Sequence, residues 1–392
     1  MSNISNTDTH SDLSADALEQ IIKVAQKDLI QINNYSAKDA LKDAARKALK
    51  RATTNRDPLF WPAGMLMLGL SEAALSPSGS ASDLISQSIS DDIIKCLNSY
   101  IEKWIKSGSQ VSYVDDSVSG ITLIKLYQAT GERRYHHAAS RIANFLSQAP
   151  KTADESIIYN PSKGNDLVYA DGAGQSAMFL SKYGTVFHKR NALALAAKQL
   201  LNYHANGFDK MSGLPYHAFS LENEKKCGII GWGRAVGWLM MGYSEILANI
   251  SNEETHGNGP IGDSILKSTS EKLMAEFYSL VKVTLQYQRP DGGFSWLLPA
   301  VEGEPDTSAT AMIAYSLSNW LRSGMFRSHA ADLAEDAKRA LISAKAFLLC
   351  HTENGSVNQS LSGCEDIAVH RQQYGHYPWG QGSTLALLSI MQ

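Results

Sequence analysis

Cysteine is scarce in this chain: four in 392 residues, at Cys96, Cys227, Cys350 and Cys364, with no C-x-x-C pair among them. That spacing signals neither a zinc ribbon nor a redox dithiol, and reduced thiols are the simplest expectation. Long apolar runs are missing too; none approaches the roughly 18–20 residues that a membrane-spanning helix needs. Nor is there an excess of either charge. With 36 basic and 39 acidic side chains the formal net charge is −3, which gives no electrostatic footing for nucleic acid. The first twenty residues, MSNISNTDTHSDLSADALEQ, are polar and acidic and lack the basic start and apolar core of a secretory signal. Histidines and acids do not fall at H-x-x-x-H or similar ligand spacings. No glycine-rich phosphate loop follows a strand, and GNGPIG sits between helices. Together these absences predict a soluble cytoplasmic protein with no metal, no cofactor, no nucleic-acid partner and no membrane contact.

What is present is helix. Most segments carry helical rather than alternating periodicity, and strand signals are few and short. SADALEQIIKVAQKDLIQI opens on a Ser or Asp cap and runs as an amphipathic helix, and AKDALKDAARKALKRA follows with a solvated charged face. SNEETHGNGPIGDS, residues 251–264, is the best candidate for an internal loop, and no Pro-rich or Ser-rich linker divides the chain. A more informative pattern is repetition. WPAGMLMLGL from Trp61, YVDDSVSGITLIKL from Tyr113, YADGAGQSAMFL from Tyr169, WGRAVGWLMMGY from Trp232, PDTSATAMIAYSL from Pro305 and WGQGSTLALLSI from Trp379 share one design. Each begins with an aromatic, a proline or an acid, passes through small residues and turns strongly apolar. More polar amphipathic segments such as ERRYHHAASRIANFLSQ and AADLAEDAKRALISAKAFLL lie between them. A helix that is apolar almost all round must be buried, and a one-faced helix can cover it. Six such pairs closing into a ring predict an all-α (α/α)6 barrel. The expected organisation is a flexible segment over 1–15 and one catalytic domain over 16–392, with an outer face available to a homodimer.

In such a ring the inner helix starts converge on one mouth. That mouth would carry Asp115, Asp116, Asp171, Trp232, Arg234, Asp306, Trp379 and Gln381. The set suits a carbohydrate. Aromatic faces stack on sugar rings, carboxylates do general acid and base work, and an arginine grips a substrate carboxylate bidentately. Asp115 and Asp171 hold equivalent places, each two residues after a tyrosine (Tyr113, Tyr169) and twelve before another (Tyr127, Tyr183). Taken singly, each of these aspartates is also explained as a helix cap; recurrence at one end of buried helices is what points to a site. The small residues Gly172, Ala173 and Gly174 are expected to leave room for a ligand beside Asp171.

At these residues the chain resembles the unsaturated glycuronyl hydrolases, especially the unsaturated rhamnogalacturonyl hydrolases of glycoside hydrolase family 105 and their relatives in family 88. The resemblance runs from about Trp61 to the C-terminus. GWGRAVGWLMMGYSEIL resembles the family's W-G-R-x-x-G-W segment and is the most specific motif, GLPYHAF its L-x-Y-H stretch, and PDTSATAMIAYSL its acidic-x-S-A segment. VYADGAGQSAMFLSKYG aligns with the segment holding the catalytic aspartate, and YVDDSVSGITLIKLYQATG with an earlier one whose aspartate assists. The resemblance implies an (α/α)6 barrel. It also implies a substrate made by a polysaccharide lyase, an oligosaccharide ending in a 4,5-unsaturated uronic acid. Its enol ether would be hydrated by protonation at C4 and addition of water at C5. Carried over, Asp171 is the general acid and base, and Asp115 or Asp116 assists, Asp115 being favoured by its register. Arg234 and His217 hold the uronate or adjoining hydroxyls, while Trp232 and Trp379 line or support the site. Trp238, further into its helix, is expected in the core, and HRQQYGHYPWGQG reads either as a segment closing over the mouth, which is favoured, or as an ordinary aromatic-rich turn. One departure stands out: where the family usually has W-x-D-T, this chain has Tyr169-Ala170-Asp171-Gly172, which predicts a wider subsite beside Asp171. An inverting glycosidase or epimerase on the same fold, and a non-catalytic sugar-binding toroid, are the alternatives.

Overall fold

The computed structural model describes residues 13–32, 57–76, 84–161, 164–255, 264–325, 330–365, 367 and 370–391. The first twelve residues, AKDALKDAARKALKRA and most of the 251–264 loop lie outside them. Among the described residues twelve α-helices alternate along the chain between two concentric roles. The inner helices are α2 (Trp61–Leu75), α4 (Ser117–Thr130), α6 (Ala170–Val186), α8 (Gly233–Thr255), α10 (Thr307–Ser323) and α12 (Pro378–Ile390). Each packs on the next, and α12 returns to α2, so the ring is closed. The outer helices are α1 (Ala15–Gln31), α3 (Gln87–Lys106), α5 (Arg133–Gln148), α7 (Arg190–Gly207), α9 (Ser264–Leu285) and α11 (Ala331–Cys350). Helix α1 lies against α12 and α2 and completes the outer circle. This is the (α/α)6 toroid that the repeats predict.

Burial explains the division of labour. Helix α2 buries every residue from Ala63 to Ala73, whereas α3 buries one stripe: Ile93, Leu97, Tyr100, Ile101 and Trp104. That contrast is what an all-round apolar helix and an amphipathic cover require. Small residues set how closely the inner helices approach. A Cβ on Gly174 would lie 2.2 Å from the Trp238 carbonyl oxygen of α8, and one on Gly382 2.2 Å from the Met65 carbonyl oxygen of α2. Among the described residues no helix is long and apolar enough to cross a membrane.

The two mouths are built differently. Where a connection from an inner helix to the next outer one is fully described it is a short turn, as at residues 131–132, where Gly131 at φ +69° closes α4 with a bond to the Tyr127 carbonyl. Outer helices return through long connections, residues 149–169, 208–232, 286–306 and 351–377, all at the mouth where the inner helices begin. These carry the short strands. β1 (Leu167–Tyr169), β2 (Tyr216–Ser220) and β3 (Lys225–Ile230) form an antiparallel sheet, with Tyr169 opposite Ala218 and Phe219 opposite Lys226. Two two-stranded ribbons, β4 (Thr352–Glu353) with β5 (Ser356–Val357) and β6 (Ser360–Leu361) with β7 (Tyr374–Gly375), shape the last connection.

Candidate active site

Asp171 stands in the first turn of α6, immediately after β1 delivers the chain at Tyr169. The neighbouring strand β2 brings His217. Between Tyr216, opposite Ile230, and Ala218, opposite Cys227, the β2–β3 register shifts, and His217 occupies that irregularity. A bulge of this kind re-aims a side chain. Across from it Gly228 adopts φ +83°, and a Cβ there would lie 2.7 Å from the His217 Cβ, so conformation and space both demand glycine. His217 Nε2 then comes 3.3 Å from Asp171 Oδ2.

Asp115 approaches from a single 3-10 turn, Val114–Asp116, that precedes α4. The Tyr159 hydroxyl lies 2.7 and 2.6 Å from its two oxygens. Burial pushes the Asp115 carboxyl up to about 7; the Tyr159 hydrogen bond opposes the rise, and the nearby charge of Asp171 adds to it. Asp115 is therefore far harder to ionise than an ordinary aspartate.

Both aspartates line one cavity of about 170 Å³, together with Trp232, Arg234, Trp238, Tyr159 and Tyr169. The two tyrosines stack at 4.4 Å. Arg234 is 1% exposed and carries its charge into the interior. Its Nη1 and Nη2 donate to the Leu361 and Ser362 carbonyls at 2.8 Å each, and its guanidinium sits 4.9 Å over Trp232 and 5.5 Å over Trp379. Burial lowers its pKa, while Asp306 and Asp171 work the other way. Several buried polar atoms at this cavity have no hydrogen-bond partner among the described residues: Gln175 Oε1, His217 Nδ1, Trp232 Nε1 and, beyond its ion-pair contact with His217, Asp171 Oδ2. Leaving such groups unpaired costs about 1–3 kcal/mol each. Their convergence on a void is what a polar, ring-shaped ligand would relieve.

Paired acids, a buried cation and stacked rings at the mouth of an (α/α)6 toroid are the equipment of a sugar hydrolase, and the whole chain agrees. Residues 33–391 match the family description Glycosyl Hydrolase Family 88. The chain belongs to that family. It is accordingly a glycosidase. Over 340 residues it is 22% identical to the unsaturated rhamnogalacturonyl hydrolase YesR of Bacillus subtilis strain 168, spanning 84% of this chain and 88% of that protein. Two solved structures carry the same fold. One is from Salmonella enterica serovar Paratyphi A, described as a possible member of family GH105: TM-score 0.75, 17% identity, 99% of this chain and 97% of that one. The other is the unsaturated glucuronyl hydrolase of Bacillus sp. GL1: TM-score 0.67, 13% identity, 95% of this chain and 94% of that one.

Within this family 88 chain the expected site residues divide in two. Asp115, Asp171, His217, Trp232 and Arg234 meet at the cavity. Asp116 does not: fully buried, its Oδ2 accepts from the Ser112 and Tyr113 amides at 2.8 and 3.1 Å and closes the turn that presents Asp115. Asp306 is a helix cap as well, accepting from the Ser308 amide at 2.9 Å and the Leu361 amide at 3.1 Å. Gln381 is a structural tie, since its side chain bonds Val357, Ile21 and Gly355 and joins α12 to the outer wall. Trp379 acts as a brace: its Nε1 donates to the Leu361 carbonyl at 2.9 Å and its ring packs 4.8 Å from Trp61. Trp238 is buried, as expected of a core residue, and also forms cavity wall.

The glycines beside Asp171 correct a second expectation. A Cβ on Gly172 would lie 2.7 Å from the Tyr159 ring, and Gly174 faces the α8 backbone. The space they leave is filled by protein, so they do not widen a subsite. Tyr159, Asn160, Gln175 and Cys364 carry no site role in the sequence analysis; Tyr169 enters there only as a register mark and His370 only as the first residue of HRQQYGHYPWGQG. Gln175 follows Asp171 by one helical turn, a usable signal; Tyr159 sits in SIIYNPSKG, which has no periodicity to place it. In the last connection His370 packs 4.7 Å from Trp232 and 5.8 Å from His217. Burial, with His217 and Arg234 adding, pulls its pKa down to about 4. His376, in the same HRQQYGHYPWGQG stretch, turns away to bond Asp28 of α1 at 2.7 Å. Within that stretch His370 lies against the site through Trp232, and His376 is tied to the outer wall.

Proposed function

We propose that this glycosidase removes a 4,5-unsaturated uronic acid from the nonreducing end of lyase-generated oligosaccharides, unsaturated rhamnogalacturonan and pectin-type disaccharides being favoured. The observation that carries the proposal is two carboxyls of unlike environment in one cavity with a buried arginine. Asp171 has the more open side chain, at 13% exposure, and stands at the helix start facing the void. Asp115 is held by Tyr159, and burial pushes its carboxyl up to about 7.

Hydration of the enol ether needs a proton for C4 and a base for the water that adds at C5. In the singly protonated form of the pair that has its proton on Asp171, that group gives the first and takes up the second, so it ends as it began. Asp115 opposes full ionisation of the pair, since two neighbouring carboxylates resist carrying charge together. The hemiketal formed at C5 opens and expels the next sugar. Arg234 supplies positive charge for the uronate, with an N–H remaining on each Nη, and His217 orients Asp171. The similarity to YesR supports an unsaturated rhamnogalacturonyl-type substrate.

The test is loss of the ultraviolet absorbance of the conjugated enol ether when the protein meets lyase-made disaccharides from pectin, rhamnogalacturonan and glycosaminoglycans. Loss on the rhamnogalacturonan or pectin product is expected. Cleavage of saturated glycosides without any absorbance change would overturn the proposal in favour of an ordinary inverting enzyme.

A further inference from the structure

At the rim of the cavity Cys364, His370 and His217 come together from two different connections. One ring nitrogen of each imidazole and the cysteine sulfur all lie within 4.8 Å of one another. The sulfur is 3.8 Å from His370 Nε2. Corners of a tetrahedron with metal–nitrogen and metal–sulfur bonds of about 2.0–2.3 Å stand about 3.5 Å apart, so side-chain movements of roughly an ångström close the set on one ion.

A second observation points the same way. His217 is 2% exposed, and its Nδ1 is buried with no hydrogen-bond partner among the described residues. Its Nε2 faces Asp171 Oδ2 at 3.3 Å. An acid on one imidazole nitrogen fixes the tautomer and turns the other nitrogen toward a metal, the usual outer-shell arrangement of histidine ligands. Sulfur with two imidazoles is a soft donor set; magnesium and calcium, which require oxygen ligands, do not fit it.

We propose that this chain binds one thiophilic divalent cation of the zinc type through Cys364, His370 and His217. On binding, the Cys364 S–H proton leaves to solvent and a sulfur–metal bond replaces it, with no change of oxidation state. The thiolate and the Asp171 carboxylate balance the two charges of the ion, and three protein ligands leave a fourth position for water. Cys364 and His217 both line the cavity, so the ion competes with whatever occupies it. The proposal shares His217 and Asp171 with the uronate chemistry but does not rest on it, since metal binding is read by spectra and not by turnover.

The experiment is titration of the metal-free full chain with Co²⁺, read by visible d–d bands and thiolate-to-cobalt charge transfer, followed by displacement with Zn²⁺. One cobalt per chain and a charge-transfer band are expected. Cys364→Ser removes the band and weakens zinc by more than the ~10–100-fold that loss of an outer-shell partner costs. His370→Gln lowers the d–d intensity, and Cys350→Ser, at an exposed thiol, changes neither. Circular dichroism checks that the variants fold. X-ray absorption at the zinc edge of the wild-type complex needs no variant, and one sulfur with two nitrogens is expected. A shell of oxygen and nitrogen alone, or a cobalt band that persists in Cys364→Ser, would overturn the proposal.

Discussion

At the mouth where the inner helices begin, Asp115 is buried beside a tyrosine, and desolvation lifts its carboxyl from 3.8 to about 7. At the mouth where the same helices end, Glu72 of α2 is buried just as deeply. Burial would raise it too, but Lys125 of α4 lies 2.5 Å away and Ser76 adds a hydrogen bond, and the carboxyl falls to about 2. Tyr315 of α10 donates to the same group at 2.9 Å, and Lys182 of α6 pairs with Glu245 of α8 at 2.8 Å beside it. This second mouth also holds a cavity, of about 250 Å³. What separates a brace from a reactive site is therefore not burial. It is whether the acid comes with a lysine, because charge taken out of water is tolerated only when paired.

Asp171→Asn should break the contrast most sharply. It removes the group placed to move protons and leaves volume and packing alone. Turnover of the unsaturated disaccharide should fall by about 10²–10⁴-fold, the usual worth of a positioned acid or base, while thermal stability barely changes. A variant that keeps most of its turnover would remove Asp171 from the chemistry. At the other mouth Lys125→Met should do the reverse. It strands Glu72 without its cation, and breaking one side of a buried pair costs about 3–5 kcal/mol. Urea unfolding should show that loss, turnover per folded molecule should hold, and Glu72→Gln added to Lys125→Met should restore most of the stability.

These two mouths were not equally visible in the sequence. The toroid was legible because apolar, small-residue helices need covers, and the alternation repeats along the chain. The acid at the start of α6 was legible for the same reason. Which acids were caps was not: Asp115 and Asp116 are neighbours, and Asp306 opens its helix as Asp171 does, since capping and catalysis favour the same residue at the same place. Only the direction of each side chain separates them. The far mouth was silent. Glu72 and Lys125 stand 53 residues apart and Lys182 and Glu245 63, each a lone charge in an apolar run, and they meet only when the ring closes. Tyr159 was silent too, because its place depends on a loop that crosses to Asp115.

Stability against pH should expose the same asymmetry. A carboxyl raised in the folded state contributes most below its unfolded value, and the contribution is lost as pH rises; for Asp115 the window runs from 3.8 to about 7. Glu72 is the opposite case: its contribution is full above 4.5 and is lost as pH falls toward about 2. Asp115→Asn should therefore flatten the decline in stability between pH 4 and 7 and leave the variant more stable than wild type at pH 8, by at most about 4 kcal/mol. Unfolding midpoints at pH 4.5, 6 and 8 decide it; an unchanged slope would mean that Asp115 does not carry the raised pKa.

The smallest effect tests the wall itself. Tyr159→Phe deletes the hydroxyl that favours ionised Asp115. Such a bond is worth about 1 kcal/mol, so the Asp115-linked limb of the rate profile should move to higher pH and turnover at pH 7 should change by no more than about tenfold. Gly172→Ala should reproduce that shift in weaker form. Its new Cβ would sit 2.7 Å from the Tyr159 ring and push the hydroxyl off Asp115 without removing it. Had the glycine opened a subsite, the same substitution would instead raise KM for longer oligosaccharides and leave the pH profile of the disaccharide untouched. A displaced profile on every substrate identifies Gly172 as the seat of Tyr159, and an unmoved profile with a chain-length-dependent KM returns it to substrate selection.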